Sequence, residues 1–342
     1  MRKNYLDNIR IIIILLLFTY HTFMIWNNYG EKFYIWAGDS NCLSTLIVLV
    51  ASWFMPILFL IAGISARYSL QKRNTKEFIK ERIKKILIPF IFGLIFLVPL
   101  QTLYARIYFN NYNGNIIENF QYFFTHYSDL TGYDGMFTLG HLWFLLYLFL
   151  ITIITLPVIK KIKLNIKPNI FIILFMFIPL YIMYNIGNIG GKSIGEYIFL
   201  YLIGYYLVTD EFIDKLIKLK KIILPIFLLS EIIIGTLYYT NGFYNDLLVK
   251  FVGWFGICSC IIIGKLFFNK ENKITKYFKN ASFPIYILHQ TILVIVGYYS
   301  LTYINNFYIQ LITILLISFT FTIMFYEIIK RIPIIRKMIG IK

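Results

Sequence analysis

Ten stretches of this 342-residue chain are apolar for long enough to leave water, and no other feature limits its possible folds as much. The first, "RIIIILLLFTYHTFMIW" at residues 10–26, carries only an arginine and a histidine among apolar and uncharged side chains. In hydrocarbon every backbone N–H and C=O must be paired inside the protein. A helix of roughly 20 apolar residues meets that demand while crossing ~30 Å. The runs lie at about 9–28, 43–66, 86–108, 138–159, 168–186, 194–208, 222–240, 247–268, 282–303 and 306–329. The expected fold class is therefore all-α, a polytopic integral membrane protein of about ten transmembrane helices. The sixth run is short and follows the glycine-rich NIGNIGGKSIG, which predicts a tilted, broken or re-entrant segment there. No small-residue cleavage site follows the first run, so it is expected to remain as a span. Without internal repeats or a soluble insertion, residues 1–342 read as a single membrane domain.

A formal net charge of +17 would suit nucleic acid, but its distribution argues otherwise. With the N-terminus inside, all 33 Lys and Arg residues except Lys32, Arg106, Lys192 and Lys250 fall in cytoplasmic segments, as the positive-inside rule requires. Both termini are then cytoplasmic, in a multi-pass protein of the cell (plasma) membrane. Basic loops such as RYSLQKRNTKEFIKERIKK face anionic membrane lipids, and no nucleic acid partner is expected. Cys42, Cys258 and Cys260 form neither a disulfide framework nor a zinc-ligand spacing.

Ionisable groups inside spans are expensive, so each is a functional candidate. Arg10 and His21 are eleven residues apart; at about 100° per residue this is ~20° past three full turns, which puts them on one helical face about 16 Å apart along the axis. Arg10 is then at the cytoplasmic boundary and His21 near the membrane centre. That geometry suits a long ligand with an anionic head and a reactive far end, such as an acyl-coenzyme A. Asp7 offers Arg10 a competing local i,i+3 pairing. In "ERIKKILIP", Arg82 and Lys85 are three residues apart at the cytoplasmic start of the third run, where they serve either as phosphate ligands or as topology anchors. His141 in "GHLWFLLY" sits near the outer end of the fourth run, and His289 in "FPIYILHQT" about two turns inside the cytoplasmic end of the ninth. No two of these histidines have a metal-ligand spacing, so no metal site is expected. Histidine is the side chain best matched to general-base work at neutral pH. Glu231, the one central carboxylate, is the candidate catalytic partner that would orient His21 or carry its proton. The outer loop at about 109–137 is aromatic and acidic (Tyr112, Phe120, Tyr122, Phe123, Tyr127, Asp129, Asp134), which fits sugar stacking or an interfacial belt.

"YLDNIRIIIILLLFTYHTFM", "SWFMPILFLIAGISARYSL", "KERIKKILIP", "GHLWFLLY", "FPIYILHQTILVIVGYY" and "FYEIIKRIPIIRKMIGIK" occur in that order. The series resembles acyltransferase family 3 of integral membrane proteins over nearly the whole chain. The family's first-span pattern, a basic residue, ten residues and a histidine, is matched by Arg10 and His21. The resemblance implies that His21 is the catalytic residue and Arg10 part of the acyl-donor site. It also implies a donor-binding Arg-x-x-Arg pair at the start of the third span, where this chain has Arg82 and Lys85; lysine keeps the charge but loses the bidentate fork. The implied reaction is O-acyl transfer, acetyl or succinyl, from cytoplasmic acyl-CoA, a co-substrate with no bound cofactor, to a hydroxyl of an extracytoplasmic or lipid-linked carbohydrate. On that reading Tyr286 and His289 line the acyl-CoA channel, while His141 and Trp143 face the acceptor. A proton-coupled transporter or flippase for an anionic lipid or metabolite is the alternative, since broken helices and Glu231 would serve it too; a non-catalytic scaffold leaves the shared face of Arg10 and His21 unexplained.

Overall fold

The computed structural model describes residues 3–28, 32–128, 130–164, 166–189 and 191–341. Asp129, named above in the outer loop, lies outside them. Among the described residues eight helices are long and apolar enough to cross a membrane: α1 (Asn4–Trp26), α2 (Asn41–Leu70), α3 (Thr75–Asn110), α4 (Gly140–Lys161), α7 (Lys220–Asn241), α8 (Asp246–Phe267), α9 (Lys273–Tyr303) and α10 (Phe307–Ile329). The fifth and sixth apolar runs form shorter helices, α5 (Ile170–Tyr184) and α6 (Ile194–Tyr206). At ~1.5 Å per residue these rise only about 22 and 20 Å. Between them the glycine-rich segment makes a hairpin of β1 (Asn188–Ile189) and β2 (Lys192–Ser193), paired antiparallel, in place of a longer helix. The all-α, polytopic membrane fold read from the sequence is the fold found.

Prolines set the local breaks. Pro56 has no N–H for the carbonyl four residues back, and α2 is interrupted by turns just before it. In α3, Pro89 leaves the Lys85 carbonyl without its usual donor; Ile83–Leu87 becomes a π segment in which the Ile88 N–H reaches the Ile83 carbonyl.

The chain divides into two compact units. The first comprises Met1–Ile13, Val48–Glu81 and Tyr147–Thr275. In it α2 and α6 touch backbone to backbone through two glycines: a Cβ on Gly63 would stand 1.9 Å from the Tyr201 carbonyl oxygen, and one on Gly204 would stand 2.0 Å from that of Leu60. Small residues at such crossings let membrane helices gain contact where no hydrophobic force joins them. Arg67 closes the end of α6, donating to the carbonyls of Tyr205 (3.1 Å) and Val208 (2.7 Å). Lys250 Nζ meets Glu196 Oε2 at 2.7 Å, with both side chains buried, and lies 3.8 Å from the centre of the Tyr184 ring. The outward rows of α7, including Leu228, Leu229, Ile232 and Ile233, are exposed and apolar, as a lipid-facing surface should be.

The second unit comprises Ile14–Ile47, Arg82–Leu146 and Lys276–Lys342. After α1 the chain folds back on itself, with the Ala37 N–H on the Ile25 carbonyl and the Ser40 N–H on that of Trp26, both at 2.8 Å. This turn buries Phe33, Tyr34 and Ile35 in a core shared with Leu293, Val294 and Ile314. In the outer loop a helix at Ile116–Thr125 is capped by Asn115. The Arg106 guanidinium lies between the rings of Tyr112 (3.9 Å) and Tyr122 (4.0 Å), and Tyr122 also stacks on His126. Much of the aromatic content of this loop therefore holds the loop itself.

Candidate active site

Helix α9 is buried nearly all round from Pro284 to Gly297, so its polar residues must find partners inside the protein. His289 is wholly inaccessible, and Gln290 and Thr291 nearly so. His289 Nδ1 lies 2.6 Å from the Tyr286 carbonyl. A carbonyl only accepts, so Nδ1 carries the proton and the neutral ring keeps its lone pair on Nε2. That Nε2 is buried without a hydrogen-bond partner among the described residues.

Helices α3 and α4 complete the surroundings. His141 Nε2 donates to the Ile287 carbonyl at 2.9 Å, which leaves its Nδ1 to accept from Gln101 Nε2 at 3.3 Å. Gln101 Nε2 also donates to Thr291 Oγ1 (2.7 Å), and its oxygen accepts from Gln290 Nε2 (3.1 Å). The Tyr286 hydroxyl donates to the His141 carbonyl. Gly140 holds a φ of +52° at the entry to α4, with Gln101 Oε1 and Tyr34 Oη each 3.4 Å from where a Cβ would stand; only glycine takes that backbone readily. The network fixes His141 and His289 in defined tautomers.

His21 reaches this cluster from α1. Its ring is 5.3 Å from that of His289 between centroids, and it stacks on Phe33 at 5.7 Å with 19° between planes. His141 and His289 are 5.1 Å apart, edge to face, so His289 is the middle ring of a row of three. Like His289 Nε2, His21 Nδ1 is buried with no hydrogen-bond partner among the described residues. The sequence puts these histidines at different depths; the structure brings them together. The reason is the length of α9: it begins at Lys273 rather than near 282, so His289 is 16 residues, about 24 Å, from its start.

The remaining candidates are distributed as follows. In the first unit Arg10 donates to Asp7 Oδ1 (3.2 Å), to Ser65 Oγ and, more weakly, to the Ile61 carbonyl at 3.4 Å; the local pairing with Asp7 does form, and the side chain stays 34% exposed. Glu231, in the same unit, accepts from Trp53 Nε1 at 3.1 Å, while the histidine row belongs wholly to the second unit. Arg82 and Lys85 flank the start of the π segment; both are half-buried while Lys84 is exposed. Trp143 is half-buried in the first turn of α4, edge-on to Phe144. No group of three His, Cys, Asp or Glu residues among the described residues has metal-binding geometry.

A neutral imidazole with a free lone pair, buried beside a second one, has the chemistry to accept a proton. The family model described as an acyltransferase domain matches residues 3–327. The chain belongs to acyltransferase family 3. It is an acyltransferase and a multi-pass membrane protein, which sets the transporter and scaffold readings aside. Among its relatives is glucans biosynthesis protein C of Escherichia coli K12, 22% identical over 98% of this chain and 93% of that protein. The same protein from strain SMS-3-5 / SECEC is 22% identical and that from O1:K1 / APEC 21%, with the same coverage. No solved structure matches.

For an acyltransferase of this family, some of the surroundings of His21 were open to sequence reasoning and some were not. Gln101 is the one amide in "FLVPLQTLY", and an uncharged amide inside a span is a signal of interhelical hydrogen bonding. Phe33 gives no such signal; only the backward fold of the chain after α1 puts it on His21.

Proposed function

We propose that this acyltransferase moves an acetyl- or succinyl-type group from acyl-coenzyme A on the cytoplasmic side to a hydroxyl of an extracytoplasmic or lipid-linked carbohydrate, in the plasma membrane. The observation that carries the proposal is His21, whose Nδ1 is buried without a hydrogen-bond partner among the described residues, on the same apolar helix as Arg10. Eleven residues of helix put about 16 Å between them, a span suited to a donor whose phosphates stay at the cytoplasmic surface while its thioester reaches mid-membrane. Arg10, Arg82 and Lys85 would hold those phosphates by charge and hydrogen bonds. The name of the relatives, glucans biosynthesis protein C, supports a carbohydrate acceptor, and Trp143 is the aromatic candidate for its outer approach.

In the step we assign to His21, the ring accepts the proton of the acceptor hydroxyl as its oxygen attacks the thioester carbonyl carbon. The tetrahedral intermediate collapses with cleavage of the C–S bond, and the coenzyme A thiolate takes the proton back from the imidazolium. One ester and one free thiol result. The polar network about Gln101 gathers Tyr286, His289 and His141 around His21, so we treat them as one supporting group instead of dividing them between donor and acceptor. Glu231, bonded to Trp53, is given no step.

The test is thiol release from a panel of acyl-coenzyme A donors in proteoliposomes, with and without a cell-envelope glycan, for wild type and His21→Ala. Free coenzyme A in wild type alone, with matching acyl mass on the glycan, is the expected result. Folded wild-type protein that cleaves no donor, or equal turnover in His21→Ala, would refute the proposal.

A further inference from the structure

Two buried imidazole nitrogens in the same cluster, His21 Nδ1 and His289 Nε2, have no hydrogen-bond partner among the described residues, and buried polar atoms are rarely left so. Their rings are 5.3 Å apart between centroids, tilted by 39°. As the rings stand these two nitrogens are not hydrogen-bonded to each other; each nitrogen is roughly 1.1 Å from its ring centre, so rotation of the His21 ring that turns Nδ1 toward His289 Nε2 would bring them to about 3 Å, within hydrogen-bond range.

Their protonation can be worked out by elimination. His289 has committed its proton, on Nδ1, to the Tyr286 carbonyl, so Nε2 can only accept. His141 has committed its own, on Nε2, to the Ile287 carbonyl, and its Nδ1 is taken by Gln101. Among the three histidines the one ring proton not donated to a described residue is that of His21.

Resting on the assignment of His21 as the base, we propose that His289 is its positioning residue. His21 Nδ1–H donates to His289 Nε2, which fixes the His21 tautomer and leaves its lone pair on Nε2, the atom that takes the hydroxyl proton. His289 stays neutral throughout and is itself held by the Tyr286 carbonyl. This is the orienting logic of a nucleophile–base–orienter array, with a neutral imidazole as the orienting group.

The experiment has two arms. In the first, ¹⁵N spectra of histidine-labelled protein, with the His21 signal assigned by its loss in His21→Ala, report the His21 tautomer without reference to activity. A single Nδ1–H tautomer is expected in wild type and a mixture in His289→Leu. In the second arm, kcat and KM are compared for wild type, His289→Leu and His289→Gln, each checked for monodispersity. His289→Leu should lower kcat by about 10- to 100-fold with donor KM changed less than about threefold, and His289→Gln, which retains an acceptor atom, should recover part of the loss. Should His289→Leu fail to fold, the glutamine variant and the wild-type spectrum carry the test. An Nε2–H tautomer of His21 in wild type overturns the proposal. So does an unchanged kcat in His289→Leu, or a loss in both His289 variants as deep as in His21→Ala with the His21 tautomer unaltered, which would make His289 the base. Activity surviving in His21→Ala would instead sink the assignment of the base, while the tautomer measurement would still decide the His21–His289 bond.

Discussion

Lys250→Met should destabilise the protein far more than its place near the N-terminal end of a helix suggests. Lys250 and Glu196 bond at 2.7 Å with side chains only 8% and 4% exposed, so neither charge has access to enough water to replace its partner. Removing one member of a buried pair costs about 3–5 kcal/mol, because the other is left uncompensated. With an unfolding entropy of ~2.1 cal/mol/K per residue, a chain of 342 residues should lose roughly 4–7 °C in Tm. Glu196→Leu should lose at least as much, since among the described residues it leaves the ammonium with the Tyr184 ring alone, at 3.8 Å. The double variant Glu196→Leu/Lys250→Met removes both charges together, and replacing a whole buried pair by apolar residues is often neutral or stabilising. Its Tm should lie above that of either single variant. The assay is thermal unfolding of purified protein in one detergent, for all four members of the cycle. Single variants with wild-type Tm, or losses that simply add in the double variant, would refute the reasoning.

Three further outcomes follow from the geometry. Gly63→Leu should separate α2 from α6, because its Cβ would meet the backbone carbonyl of Tyr201 at 1.9 Å and backbone cannot rotate aside; a loss of about 2 kcal/mol or more is expected in Tm or in yield of monodisperse protein. Arg82→Gln and Lys85→Gln should each raise the KM for acyl-coenzyme A by about tenfold with smaller effects on kcat, as uniform binding predicts, whereas Lys85→Arg should lower it by restoring a bidentate fork; equal KM values across the set would remove these residues from donor binding. Gly140→Ala, at a φ of +52°, should lose about 1–2 kcal/mol and displace His141, read as a fall in Tm together with kcat.

The span pattern was legible because lipid leaves few alternatives: a backbone that must pair with itself needs long apolar helices, and eight of the ten runs became such helices. The two that did not, α5 and α6, flank the glycine-rich segment that predicted a break. Arg10 and His21 stood out as candidates for the same reason, since a charge or a polar ring inside a span is costly. What stayed hidden depends on tertiary approach. His21, His141 and His289 are separated by more than a hundred residues from one to the next, and no local periodicity reports that they converge. Lys250 was counted among outer charges, yet its side chain is buried against Glu196; its place near the start of α8 resembles a topology anchor until its partner is known. Glu231 was legible as the central carboxylate, and its described hydrogen bond, from the Trp53 indole N–H, is one the sequence did not announce.

The central claim is that His21 takes the acceptor's proton during transfer from an acyl-coenzyme A. It is tested most directly by coupled detection of free coenzyme A and of acyl mass on a glycan acceptor, with wild type and His21→Ala reconstituted at equal density. The account predicts stoichiometric appearance of both products with wild type and a fall of about 10²-fold or more in the variant. Undiminished transfer by His21→Ala would contradict it.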